Sequence, residues 1–226
     1  MSISKDRELT DQEILSALMP FGIVPAPAGT ESIRRYISLL LEWNQKISLT
    51  GLSDPAEIAS RHFGESLFVT KLVGLETGRL ADVGSGAGFP GLALKVLCPG
   101  LEITLVEQSK KKSAFLAEVV RALSLEGVSV FATAYEDWSV PRASLDFVTA
   151  RAIGQYPRFL KWAAPVLKPG GKAILWLGDE ESNHLQSKSG WSWNLPVRIP
   201  LSLRRQVLIG SPSIPDVAEL LCSGRP

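Results

Sequence analysis

Between residues 8 and 47 apolar side chains recur at three- and four-residue steps. Ile33, Tyr36, Ile37, Leu40, Leu41 and Ile47 form one stripe behind Thr30, a capping candidate, and such a stripe predicts an amphipathic helix with one buried face. Helices are therefore expected at 8–19 and 30–47, joined by the linker FGIVPAPAG. Asp54-Pro55 opens a third helix, with aspartate placed to cap free amides and proline suited to the first turn, and the helix runs on through RHFGESLFVTKLV. From residue 80 the texture changes. The short β-branched or apolar runs LADV, EITLVE, VSVFA, LDFVTA and KAILWL alternate with helical periods at 89–98, 110–125 and 156–167. Strand–helix alternation predicts a parallel sheet with right-handed crossovers. VRIPL and RQVLIG follow with too little chain between them for a crossover helix, so an antiparallel ending is expected. The fold class is α/β: a doubly wound, mostly parallel sheet with an antiparallel final strand and an N-terminal helical cap. Residues 1–75 form the cap, and 76–226 the ligand-binding domain, one compact unit; PDVAELLCSGRP at the end reads as a weak helix or tail.

Composition sharpens this modestly. With 45% hydrophobic and 21% charged residues in 226, the chain has the make-up of one globular core. No stretch of membrane-spanning length lacks a charge, and MSISKDRELTDQEIL has no apolar signal core, so a soluble cytoplasmic protein without a membrane partner is expected. Cys98 and Cys222 are too few for a disulfide framework or a zinc site, and no metal is expected. The net charge of +1 hides an asymmetry: residues 1–150 carry 14 Lys/Arg against 18 Asp/Glu, whereas 151–226 carry 10 against 5. A basic C-terminal half permits a phosphate-rich partner without requiring one. For a chain of this size a monomer is the default.

The chemistry concentrates in ADVGSGAGFPG, residues 81–91. Asp82, Gly84, Gly86 and Gly88 follow the first strand and open a helix, which is where a doubly wound sheet binds its nucleotide. The dinucleotide fingerprint needs a third glycine where Phe89 stands, and no Lys-Ser/Thr follows for a phosphate-cradling loop. S-adenosylmethionine, which has no phosphate, is the remaining common ligand; an irregular dinucleotide site and a purely structural turn stay open as alternatives. Glu107 closes the second strand, 23 residues after Gly84, where a carboxylate can accept hydrogen bonds from both ribose hydroxyls. Tyr135-Glu136-Asp137-Trp138 follows the third strand, where an adenine edge would lie: Glu136 or Asp137 could face its amino group, with Tyr135 or Phe89 against the ring. LKPGGKAILW enters the fifth strand by a turn like that of class I methyltransferases.

LLEWNQKISLTGLSDPAEIASRHFGESL (40–67), ADVGSGAGFPGLAL (81–94), TLVEQSKKKSAFL (104–116) and DFVTARAI (146–153) together resemble the bacterial 16S ribosomal RNA guanine-N7 methyltransferase family, the RsmG type, also called glucose-inhibited division protein B. The match covers roughly residues 30–175 in consistent order and spacing. It implies a class I, Rossmann-like methyltransferase fold, S-adenosylmethionine as donor, and as acceptor a guanine of 16S ribosomal RNA in the small ribosomal subunit. It also implies loop contacts from Gly84 and Phe89, adenine contacts from Tyr135 and Glu136, and a binding and catalytic role for Arg151 after the fourth strand. Three places depart from the family pattern: Glu65-Ser66 stands for the usual Asp-Ser, Leu177-Gly178 for the usual Lys-Gly, and in the C-terminal segment Arg204-Arg205 precede the last strand but a Ser-Pro tail replaces the usual close.

Guanine N7 carries a free lone pair at neutral pH and can displace the sulfonium methyl in line, so no general base is needed. Consistent with this, the Asn-Pro-Pro-Tyr signature of amine methylation is missing, and neither cysteine lies where a pyrimidine-C5 nucleophile belongs. Arg151 could bond a carboxylate, a phosphate or the acceptor edge of guanine, or simply form a surface pair. Lys110, Lys111 and Lys112 open the second crossover helix as a solvated face or a phosphate contact. His62 with Arg61 could meet RNA or be packed, and Trp43 reads as packing between cap and sheet. A non-catalytic adenosylmethionine- or RNA-binding assembly factor and a small-molecule methyltransferase are the competing functions.

Overall fold

The structure, a computed structural model, describes residues 8–187 and 190–213. The expected tail at 215–226, with Cys222, lies outside them. The cap opens with α1 (Asp11–Leu18), where Thr10 and Glu13 form a reciprocal capping box. The second helix, α2, spans Pro27–Asn44 rather than 30–47. Proline is pre-set for the first helical position, so the helix starts ahead of Thr30. Thr30 is no cap: it lies inside the helix, buried, its hydroxyl donating back to the Ala26 carbonyl at 3.4 Å. The other end stops early because the Asn44 side chain turns the chain, accepting from the amides of Leu49 (2.8 Å) and Thr50 (3.0 Å).

The third helix begins as expected, with Asp54 accepting from the Glu57 amide at 3.1 Å and Pro55 in the first turn, but it is not one regular helix. α3 (Pro55–Ile58) widens into a π-helical turn at Ala59–Gly64, returns to α-helix in α4 (Glu65–Leu67) and tightens to 3₁₀ at Phe68–Lys71. The ring of Phe21 lies where a Cβ on Gly64 would be, so the cap elements meet there with backbone against ring.

Five strands, β1 (Gly78–Val83), β2 (Leu101–Val106), β3 (Val128–Phe131), β4 (Leu145–Arg151) and β5 (Leu167–Gly178), run parallel in the order 3-2-1-4-5. Helices α5 (Gly91–Leu97), α6 (Lys110–Ala122) and α7 (Tyr156–Val166) connect them. β5 is followed by α8 (Asp179–Gln186), the short β6 (Trp191–Trp193) and β7 (Val197–Arg198), and the final β8 (Arg205–Pro212). The antiparallel ending holds, with β8 inserted between β5 and β6 and also paired with β7. α8 and β6 escape the sequence pattern. The first is polar over most of its length, and the second is three residues long.

Two apolar layers flank the sheet. On one face Phe159, Leu160 and Ala163 of α7 pack on Val148, Ala150 and Leu175. On the other, Ile33, Tyr36, Leu40, Phe63 and Leu67 of the cap join Leu92, Leu94, Phe115 and Leu116 of α5 and α6 over Leu80 and Ile103. Trp43 does pack between cap and sheet layer, 5.7 Å from the ring of Phe115. Cys98 caps the C-terminus of α5 against this core, and burial pushes its thiol pKa up.

The cap is bolted to the glycine loop by Tyr36. Its fully buried hydroxyl donates to the Ala87 carbonyl at 2.6 Å, and its ring stacks on Phe89 with centroids 5.4 Å apart. A Cβ on Gly88, whose φ is +86°, would collide with that hydroxyl, so the loop needs glycine here for space as well as for backbone conformation. Tyr36→Phe strands a buried carbonyl, and we expect it to lower the unfolding free energy by about 1–2 kcal/mol with an unchanged denaturant slope. A urea titration checks this, and an unmoved midpoint would show that the bond carries no stability.

Candidate cofactor and substrate site

A cavity of about 390 Å³ opens at the carboxyl end of the parallel strands. Val83, Gly84 and Gly86 form one wall, Glu107 and Gln108 the second, Thr133 to Glu136 the third, and Ala152, Ile153, Gln155 and Arg158 the fourth. Gly86 reaches it with φ +57°, and a Cβ there would meet nothing closer than 3.8 Å. The loop turns its bare backbone to the cavity, as a close-fitting ligand requires.

Glu107 is only 6% exposed, and its carboxylate is aimed by two backbone amides: Gly86 donates to Oε2 at 2.9 Å and Ser109 to Oε1 at 2.8 Å. Each oxygen keeps a second lone pair, so two vicinal hydroxyls can still be accepted. Tyr135 is steadied by the edge of Trp162 at 5.3 Å, and burial followed by the neighbouring Glu136 pushes its hydroxyl pKa up to about 12. It stays a neutral aromatic wall. Glu136 pairs with Arg158 at 3.0 Å, a contact no sequence pattern announces, because 22 residues separate the two. Asp137 is exposed and outside the cavity.

The other expected residues lie behind the loop. Asp82 is buried, accepting from the Thr149 hydroxyl at 2.8 Å and the Gly91 amide at 3.1 Å. It therefore ties β1 to β4 and to the first turn of α5. Burial raises its pKa to about 6, against the pull of those hydrogen bonds. Phe89 is sandwiched between Tyr36 and His62, whose rings stack at 5.4 and 4.7 Å, and does not line the cavity. Lys112 does line it, whereas Lys110 and Lys111 are exposed to solvent.

Arg151 belongs to a second constellation at the same end of the sheet. Its Nη2 donates to Glu65 Oε2 at 2.9 Å and to the Arg61 carbonyl at 3.2 Å, and its Nη1 to the Ser66 hydroxyl at 3.3 Å. Arg61 and Glu65 stand four residues apart on one helical face, so the Arg61 carbonyl and the Glu65 side chain meet Arg151 together. Glu65, 2% exposed, also accepts from Arg205 Nη2 at 2.6 Å, while its carbonyl takes the Trp176 indole N–H at 2.8 Å. Arg205 was not read as a site residue. Its place follows from the antiparallel pairing of Arg205 with Gly178. Leu177, beside it, is buried in the apolar layer with Leu185 and Leu208.

His62 completes the group. Its Nε2 lies 2.7 Å from the Thr50 hydroxyl, and its pKa is lowered to about 4 by burial first and then by Arg151, Arg61 and Arg205. Among the described residues no group of His, Cys, Asp and Glu is arranged to hold a metal, and no helix is long and apolar enough to cross a membrane.

A cavity walled by backbone glycines and an amide-aimed carboxylate fits S-adenosylmethionine, and the strand order is that of the class I S-adenosylmethionine-dependent methyltransferases. Solved structures agree on the fold. An S-adenosylmethionine-dependent methyltransferase from Aquifex aeolicus superposes with TM-score 0.58 at 18% identity, covering 70% of this chain and 93% of that one. A ribosomal protein L11 methylase from Lactobacillus delbrueckii subsp. bulgaricus gives 0.55 at 15% identity, over 69% and 80%. The family described as "GidB: rRNA small subunit methyltransferase G" matches residues 29–193, and the chain belongs to it. Relatives named ribosomal RNA small subunit methyltransferase G share 37% identity in Lactococcus lactis subsp. cremoris, over 74% of this chain and 72% of the relative. In Desulfitobacterium hafniense the figure is 41%, over 62% and 59%.

Two outcomes test this geometry. Glu107→Gln turns an amide N–H₂ toward a backbone donor, and should weaken S-adenosylmethionine binding about tenfold or more by calorimetry; equal affinity would remove Glu107 from the ribose. His62 has a folded-state pKa of about 4 against 6.5 unfolded, so between those values the unfolded chain takes up a proton that the folded one refuses. Stability present above pH 6.5 is therefore lost as the pH falls toward 4, by about 3 kcal/mol at most. The difference between wild type and His62→Gln in unfolding free energy, followed from pH 7 to 4, should show that fall; a flat difference would count against a buried neutral histidine.

Proposed function

We propose that the chain transfers the methyl group of S-adenosylmethionine to N7 of a guanine in 16S ribosomal RNA, on the small ribosomal subunit, as a cytoplasmic monomer. The observation that carries this reading is the adjacency of two sites at one end of the sheet: the Glu107 cavity, suited to a nucleoside, and the arginine cluster around Glu65, suited to an anionic partner. The names of the relatives supply the kind of RNA.

In this reading Gly84, Gly86, Glu107, Tyr135 and Glu136 hold the cofactor, and Asp82, Gly88 and Phe89 shape the loop from behind. Arg151 acts on the substrate side. The bound cofactor supplies an electrophilic methyl on a sulfonium. N7 needs no deprotonation, so the protein's task is to hold the base in line and exclude competing orientations. That suits a site whose carboxylates are already committed: Asp82 to Thr149 and Gly91, Glu65 to two arginines, Glu136 to Arg158.

Incubation with labelled donor and purified small subunits, followed by reductive cleavage at N7-methylated guanine, tests the proposal. Label in 16S RNA with a single cleavage is expected. Tight donor binding without label in RNA would overturn it in favour of a binding factor or a small-molecule enzyme.

A further inference from the structure

The cluster around Glu65 is charge-unbalanced. One carboxylate, 3% exposed at its side chain, serves two guanidinium groups, one on each oxygen. Arg61, the third arginine here, is paired outward with Glu57 at 2.6 Å. One unit of positive charge therefore stays uncompensated in a half-buried place, and its field helps hold His62 neutral. Hydrogen bonding is also incomplete: Nε of Arg205 and Nδ1 of His62 are buried with no hydrogen-bond partner among the described residues. A guanidinium presents five N–H groups in a planar fork, and of these Arg205 spends one on Glu65. Its side chain is 40% exposed although Nε is buried, so solvent reaches the guanidinium away from Nε.

Position decides what could fill it. Arg151 ends β4, and Arg205 starts the antiparallel β8 opposite Gly178 at the end of β5, so both stand at the strand ends where the cofactor cavity opens. Methylation at N7 places positive charge on the guanine. Cations against the base edge would oppose that charge, whereas cations on the backbone would not. A phosphodiester supplies the missing negative charge and two oxygens matched to an arginine fork. We propose that Arg205, held by Glu65 beside Arg151, is a substrate-positioning residue that binds a backbone phosphate of the RNA next to the target guanosine. This rests on RNA being the substrate, as proposed above.

The test compares wild type, Arg205→Gln and Arg205→Lys in binding to purified small ribosomal subunits between 50 and 200 mM salt, concentrations that resolve phosphate contacts, with methyl transfer and cofactor affinity measured alongside. Arg205→Gln should bind subunits about tenfold more weakly, with a log–log salt slope shallower by about one, at unchanged cofactor affinity. Arg205→Lys keeps the charge and loses the fork, so it should keep the slope and lose about threefold in affinity. A structural role would lower thermal stability in both variants without touching the slope. Wild-type affinity and slope in Arg205→Gln would overturn the phosphate site while leaving wild-type methylation, and so the proposed function, intact. Should Arg205→Gln not fold, wild-type affinity in Arg205→Lys would overturn it equally. A wild type that binds subunits without methylating them overturns the proposed function alone.

Discussion

The hydroxyl of Tyr36 donates to the Ala87 carbonyl from inside a layer that holds Phe63, Phe89 and Phe115, and that bond, with the rings of Tyr36, His62 and Phe63 around Phe89, holds the helical cap to the glycine loop. The loop on its own is poorly determined: successive glycines with positive φ have many conformations to lose on folding. Here it is gripped from both sides. Asp82 fixes its base through Thr149 and Gly91, and Tyr36 fixes its crown. The cavity wall at Gly84 and Gly86 is therefore preorganised by groups that do not line the cavity, and the cap helps to shape it from behind.

The same cap sets the electrostatics around Arg151. Arg61 and Glu65, four residues apart, lie on one face of their helical segment, and His62 is about 100° round from Arg61. There the Arg61 carbonyl and the Glu65 carboxylate face Arg151 together while His62 lies flat on Phe89. Two opposed pH effects result. Histidine kept neutral by burial and cations loses stability as the pH falls from 6.5 toward 4. Asp82, with its pKa raised from 3.8 to about 6, is protonated when folded and ionised when unfolded within that interval, so its contribution declines as the pH rises through it. The two act in opposite directions over the same interval, so each offsets part of the other's pH dependence.

Much of the architecture was legible because it rests on periodicity. Strands buried on both faces read as apolar runs, and α2 shows its stripe. The glycine loop, Glu107, Tyr135 and Glu136 were legible because a ligand that follows strand ends constrains short local segments, and they do converge on one cavity. The rest is tertiary. Asp82 and Phe89 sit in the right motif but point away from the cavity, since the loop needs supporting side chains as much as facing ones. Thr30 had the chemistry of a cap, but Pro27 starts the helix first. Arg158 and Arg205 gain their places by pairings across 22 and 140 residues, which no local window contains. The π-helical turn is likewise invisible in composition, because RHFGESL carries no signal that separates π from α.

The departure at residue 177 can be read physically against this background. A leucine there sits in the apolar layer with Leu185 and Leu208, one residue before the strand end, and brings no charge to the crevice. The cations present at that end come instead from β4 and β8, on two strands that flank β5. Glu65 has the extra methylene that lets one carboxylate span both guanidinium groups, with Oε2 on Arg151 and Oε1 on Arg205. A shorter acid at 65 would reach them both only if the π-helical turn moved closer to the sheet, where the Trp176 indole already holds the Glu65 carbonyl. These two departures lie on opposite faces of the sheet: Leu177 packs in the layer of α7 and α8, whereas Glu65 stands on the cap face beside Trp176. The charge that Glu65 gathers on Arg151 and Arg205 therefore belongs to the cap side of the strand ends, and residue 177 adds none to it.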